Sequence, residues 1–164
     1  MLFCSCKFNV ALLRSSEDVD KLQPELKVVK SIRRAVKSDS LIIAERNGVT
    51  KVLACDSVWG IKYKDDTVYR NFDDQYYLLR ENSDLIIYSQ SHAGYKTSHT
   101  SYYFRKKLDS KIYSLKQKAI KKEFANDTCF LNKLERELKW YQDFTSYDRK
   151  HKTYFIVKLF KECK

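Results

Sequence analysis

Three histidines, five cysteines and several adjacent carboxylates are the residues of this 164-residue chain that have chemistry to offer. His92 and His99 share the polar stretch 91–101 with Ser91, Ser98 and Ser101, so serine and histidine stand close in sequence. No glycine pattern of a nucleophile elbow surrounds any serine, and no acidic residue lies nearby to orient a histidine. The spacing of six residues between His92 and His99 matches no zinc template, so both read as polar loop residues. Asp65-Asp66 and Asp73-Asp74 read as hairpin turns, where aspartate bonds its own backbone. Glu25 and Lys27 form too short a pair to carry weight, and no calcium loop is present. Three glycines leave little room for a phosphate-binding loop. The expectation is a protein without catalytic, cofactor-binding or metal-ligating residues, and not an enzyme.

The cysteines lie at 4, 6, 55, 129 and 163, an odd number with no C-x-x-C pair. Cys55 and Cys129 sit in apolar surroundings and read as small core residues, with Cys55–Cys129 and Cys129–Cys163 bridges both left open. Phe3-Cys4-Ser5-Cys6 resembles the lipobox of bacterial lipoproteins, with Cys6 as the lipid acceptor and Phe3 where leucine is usual. The basic and apolar regions that precede a lipobox would lie upstream of Met1. The other reading is an apolar N-terminal strand with two free thiols. No apolar run reaches about 18 residues, so no spanning helix is expected.

The formal charge is +11, and much of it is local. Between 102 and 122 stand Arg105, Lys106, Lys107, Lys111, Lys116, Lys118, Lys121 and Lys122, against Asp109 as the one anion. The plain reading is a solvated helix face. As a binding face for an anionic partner it would use Arg105, Lys106, Lys107, Lys111, Lys118, Lys121 and Lys122. Tyr102, Tyr103, Phe104 and Tyr113 interleave with the cations, the pairing that stacks and neutralises single strands, so a nucleic-acid partner is the alternative. No recognised nucleic-acid-binding signature accompanies it.

These residues need elements to position them. The pattern predicts a strand over 7–13, a helical turn near 17–22, and segments at 27–30 and 32–36 open between strand and helix. Asn47-Gly48 between the apolar runs 40–45 and 49–55 is a hairpin signal. Polar turns then recur every eight to twelve residues, giving five or six strands of an antiparallel meander from 40 to 90. A polar loop over 91–101 and one last strand at 102–105 follow. Leu108, Ile112, Leu115 and Ala119 repeat with helical period, as do Phe130, Leu131, Leu134, Leu138 and Tyr141. Asn126-Asp127 should break the first helix and cap the second. Segment 148–152 reads as a connector, and 154–160 as strand or helix. The expected fold class is α+β, a meander followed by two or three C-terminal helices. A single domain over 1–164 is expected, with 1–14 a signal-peptide remnant or strand, 40–105 the meander and 108–163 mainly helical.

Trp59-Gly60 in an alternating run, the turn at Asp65-Asp66 and then Tyr69-Arg70 resemble small envelope proteins of Bacteroidetes-type bacteria. The resemblance covers 56–89 and weakly the helical tail. It implies a compartment, the periplasmic side of a cell envelope, and brings no catalytic residue with it. Trp59 and Tyr63 share one side of a strand and form either core or an aromatic surface patch. The functional expectation is a non-enzymatic, lipid-anchored envelope protein that binds another envelope protein or an anionic surface. The alternative is a cytoplasmic nucleic-acid-binding protein.

Overall fold

The computed structural model describes residues 8–19, 27–34, 40–45, 48–63, 65–73, 75–93, 97–138 and 144–164. The chain divides into two compact units, Met1–Leu78 and Leu79–Lys164. Cys4, Cys6, Glu25 and Tyr141 lie outside the described residues.

The first unit is an antiparallel sheet of β1 (Phe8–Leu13), β2 (Lys27–Arg34), β3 (Ser40–Glu45), β4 (Thr50–Ala54), β5 (Gly60–Tyr63), β6 (Val68–Phe72) and β7 (Gln75–Glu81). Residues 79–81 of β7 already belong to the second unit. The spatial order is β4-β3-β2-β1-β5-β6-β7, so β1 inserts between two hairpin systems. The expected helical turn near 17–22 is a short 3-10 turn at Ser16–Asp18, and the segments 27–30 and 32–36, open between strand and helix, are strand over Lys27–Arg34, with 35–36 outside the described residues. Val10, Ile43 and Ile61 form the buried centre, with Leu12, Leu53, Tyr63 and Tyr76 packed on it.

Turn chemistry fixes these hairpins. Gly48, Asp66 and Asp73 all hold positive φ, which glycine and aspartate tolerate better than most residues. Gly60 answers a different need. A Cβ at this position would sit 2.6 Å from the Tyr69 carbonyl oxygen, so any side chain would push β5 and β6 apart.

The second unit begins with the long hairpin of β8 (Ile86–Ala93) and β9 (Ser98–Arg105), to which β10 (Tyr113–Ser114) adds at the β9 edge. Leu85, Ile87 and Phe104 are buried on one face beneath α1 (Gln117–Glu123), α2 (Thr128–Leu138) and α3 (Phe155–Lys161). Phe124, Phe130 and Phe160 meet edge to face at 4.7–5.3 Å and form the centre of that core. Asp127 caps α2, its Oδ1 accepting from the Phe130 amide at 3.0 Å, as the sequence suggests. A two-stranded ribbon of β11 (Tyr147–Asp148) and β12 (Thr153–Tyr154) precedes α3.

Four expectations need correction here. Of the expected 91–101 loop, residues 91–93 and 98–101 are strand, because the backbone ladder of β8 and β9 extends past the core into polar residues. The helix expected from Leu108 starts only at Gln117. Before it, Tyr113 and Ser114 pair with Phe104 and Tyr103, burying Ile112 and Leu115 from extended chain. A spacing of three or four apolar positions is thus met without a helix. Cys129 is not a core thiol: it is exposed and bonded to Cys163, with the two Cα atoms 5.8 Å apart. Arg105 does not belong to a solvated face, since it is fully buried. Its position alternates with Phe104 along β9, so its side chain leaves on the opposite side of the strand.

Candidate functional site

The lysine-rich segment is built on three short pieces of backbone in the second unit. Beyond β9 the chain turns at 106–112, where the Lys107 carbonyl accepts from the amide and hydroxyl of Ser110. It then adds β10 and enters α1. Leu115 and Ile120 anchor this stretch in the core, which obliges the intervening lysines to face outward. Lys106, Lys107, Lys111, Lys116, Lys118, Lys121 and Lys122 are all exposed.

Two of them are committed locally. Lys121 pairs with Glu135 at 2.6 Å. The Lys106 ammonium bonds the Glu123 carbonyl and lies 4.2 Å from the Phe124 ring centroid. Lys107, Lys111, Lys116, Lys118 and Lys122 have no ion-pair partner among the described residues. Arg105 is withdrawn from this set. Its Nε donates to the Lys107 carbonyl and so tethers the first turn of the basic segment. Its two terminal nitrogens are buried without a hydrogen-bond partner. A guanidinium stays protonated, so this is an unfavourable burial that the surrounding packing must offset.

The aromatic rings between the lysines face the protein. Phe104 is buried, Tyr113 lies 5.8 Å from it, and Tyr102 meets Tyr154 edge on at 6.0 Å. The Tyr103 hydroxyl donates to Gln90 Oε1 at 3.2 Å. The cations therefore form an ammonium surface, with these rings engaged in packing. Lys106 and Lys122 also line a cavity of about 530 Å³ together with Asn126, Thr128 and the Cys129–Cys163 bridge.

In the first unit, Trp59 and Tyr63 part company. Tyr63 packs on the core cluster of Val10, Ile43 and Ile61, and burial pushes its hydroxyl above the usual range. Trp59 lines a cavity of about 370 Å³ with Arg14, Arg70, Asn71 and Phe72. The Arg70 guanidinium lies 4.8 Å from the Trp59 ring and 5.2 Å from Phe72. Asn71 closes the cavity floor, its amide donating to the Cys55 carbonyl at 2.7 Å and to that of Val58 at 3.3 Å. Cys55 beside it is buried and outside any disulfide among the described residues.

One charged cluster escaped sequence reading. The ribbon places His151 Nδ1 2.6 Å from Asp148 Oδ2, while Asp148 Oδ1 accepts the amides of Lys150 and His151. Lys158 approaches the same carboxylate at 3.5 Å. The hydrogen bonds from the His151 ring and amide, with Lys158 added, hold the Asp148 carboxyl well below the usual carboxylate range. The local signal was an aspartate three residues before a histidine inside a turn. A group with depressed folded-state pKa stabilises the fold above its unfolded value, roughly 3.9, and loses that contribution as pH falls through the folded value. Asp148→Asn is therefore expected to lower stability at neutral pH and to flatten the loss of stability on acidification below about pH 4. Urea unfolding of both proteins at pH 7 and pH 2.5 checks this; equal slopes with pH would refute it.

Among the described residues, no group of three or more His, Cys, Asp or Glu is gathered to hold a metal, and no helix is long and apolar enough to cross a membrane. What the fold and this surface define is an α+β protein carrying an ammonium-rich face on a disulfide-bonded unit. No family model matches the chain, and no curated protein or solved structure matches it.

Proposed function

We propose that this chain is a non-enzymatic binding protein of a cell envelope whose C-terminal unit engages an anionic surface through the lysines of 106–122. The observation that carries the reading is the set of five exposed lysines without ion-pair partners among the described residues: Lys107, Lys111, Lys116, Lys118 and Lys122. A solvated helix face that serves only solubility commonly pairs its cations with acids three or four residues away. Here Asp109 is the one acid within the segment, and Glu123 directly follows it. The Cys129–Cys163 bridge supports a compartment that is oxidising, as the periplasmic side of an envelope is. The lipobox-like Phe3-Cys4-Ser5-Cys6 adds attachment through Cys6 to this reading.

Sedimentation with vesicles containing anionic phospholipid tests the proposal. Each lysine near such a surface contributes about 1 kcal/mol, and salt screens it within a Debye length. Combined Lys107→Glu, Lys111→Glu, Lys118→Glu and Lys122→Glu substitutions should weaken binding by 10²-fold or more, on the order of four such contributions. Raising salt from 50 to 200 mM, the rough range over which such attraction is screened, should release the wild-type chain. Failure to bind these vesicles at low salt would overturn the reading.

The density of free lysines equally favours a nucleic-acid partner in a cytoplasmic setting. Oligonucleotide binding with a steep salt slope, and no vesicle binding, would select that alternative.

A further inference from the structure

Extension of the β8–β9 ladder past the core brings His92 directly opposite His99. Their rings stack with centroids 4.7 Å apart and planes 20° from parallel. His92 is half-buried and His99 exposed, and among the described residues the contact shown for each ring is the other ring. On the same side of the ribbon, one step toward the core, the Tyr103 hydroxyl bonds Gln90 and ties the two strands together. Among the described residues, the positions flanking the pair on the two strands are Ser91, Ala93, Ser98, Thr100 and Ser101, none of them charged.

We propose that His92 and His99 form a two-imidazole binding site for a borderline divalent cation of the copper, nickel or zinc type. Three features converge on this class. Imidazole nitrogen suits these ions, whereas calcium and magnesium require oxygen ligands in number. Directly opposed residues on antiparallel strands have Cβ atoms about 4.5–5.5 Å apart, which lets two ring nitrogens meet one ion at about 2.0–2.1 Å by side-chain rotation alone. The ladder on the core side holds that spacing before any ion arrives, so little ordering is left to oppose binding. Water completes the coordination, because the neighbouring hydroxyls and amides are weak ligands for these ions. Such a site binds less tightly than a closed four-ligand centre, and it leaves positions open for exchange.

Copper(II) chloride titrated into the full-length Cys4→Ser/Cys6→Ser chain at pH 7.5 tests the site without competition from the N-terminal thiols. Calorimetry should give one ion per chain, and electron paramagnetic resonance should show nitrogen ligation. His92→Ala and His99→Ala should each weaken binding at least tenfold, while His151→Ala should leave it unchanged. Circular dichroism of the three variants should match the parent, since none of these side chains lies in the core. Absence of binding, or affinity retained in either His92→Ala or His99→Ala, would overturn the proposal. Loss in His151→Ala alone would move the ion to the β11–β12 ribbon and would overturn it equally.

Discussion

Replacing Phe130 by alanine should cost the C-terminal unit about 3–5 kcal/mol, the range for deleting a buried phenylalanine ring. Phe130 is fully buried, and it joins two other rings: Phe124 at 4.7 Å and Phe160 at 5.3 Å, both edge to face. These rings come from the end of α1, from α2 and from α3, so one side chain ties three segments of chain to the β8–β9 hairpin. Truncation would leave a cavity lined by rigid aromatics that cannot close over it, which places the effect toward the upper end. A loss of this size removes much of the stability of a domain worth roughly 5–15 kcal/mol in total. Urea unfolding followed by near-ultraviolet circular dichroism reads it directly. Val52→Ala, at a side chain 63% exposed on β4, is the comparison and should move stability by no more than about 0.5 kcal/mol. Equal effects of the two substitutions would refute the assigned core.

Opening the Cys129–Cys163 bridge is the second large effect. The two cysteines are separated by 34 residues. Closing a loop of that length restricts the unfolded chain by an entropy corresponding to about 3–4 kcal/mol. The bridge also joins the first turn of α2 to the residues following α3, so its loss releases the end of the chain from the helix on which it rests. Lys133–Glu162 at 2.8 Å and Lys164–Asp84 at 2.5 Å remain to hold that end, but both are surface pairs of small individual worth. Cys163→Ser should therefore lower the unfolding midpoint of the C-terminal unit by roughly 10–20 °C. A reducing agent should produce the same shift in the parent chain and none in the variant. An unshifted midpoint in Cys163→Ser would mean that the bridge makes no net contribution. The lipid-surface and metal-binding tests should be run on oxidised protein, because the lysine-rich face shares this unit.

The two histidines show where sequence reasoning stops. Local spacing made His92 and His99 look like residues of a loop, since serine, threonine and glycine dominate 91–101. Strand pairing is a property of two segments together. Once Ile86 pairs with Arg105 and Ile87 with Phe104, every later pair follows in step, and His92 must face His99. Cys129 and Cys163 belong to the same class, because only the packing of α2 on α3 brings them within bonding reach. Arg105 was misplaced for a related reason. Seven neighbouring lysines suggested a continuous solvated face, but in a strand adjacent residues point to opposite sides, and burial is decided by what covers each side.

By itself the sequence determined the α+β class, the succession of strands between 40 and 90, the capping of α2 by Asp127 and the outward face of the lysines. All four depend on interactions within a few residues, such as side-chain alternation, turn chemistry and helical period. Tertiary structure alone decided that β1 lies between β2 and β5, that 108–116 is a turn followed by a short strand rather than a helix, and that Cys129 meets Cys163. It also decided that two histidines seven positions apart share one cross-strand pair. Those outcomes depend on register and packing between distant segments, where the free energy of burial outweighs local preference.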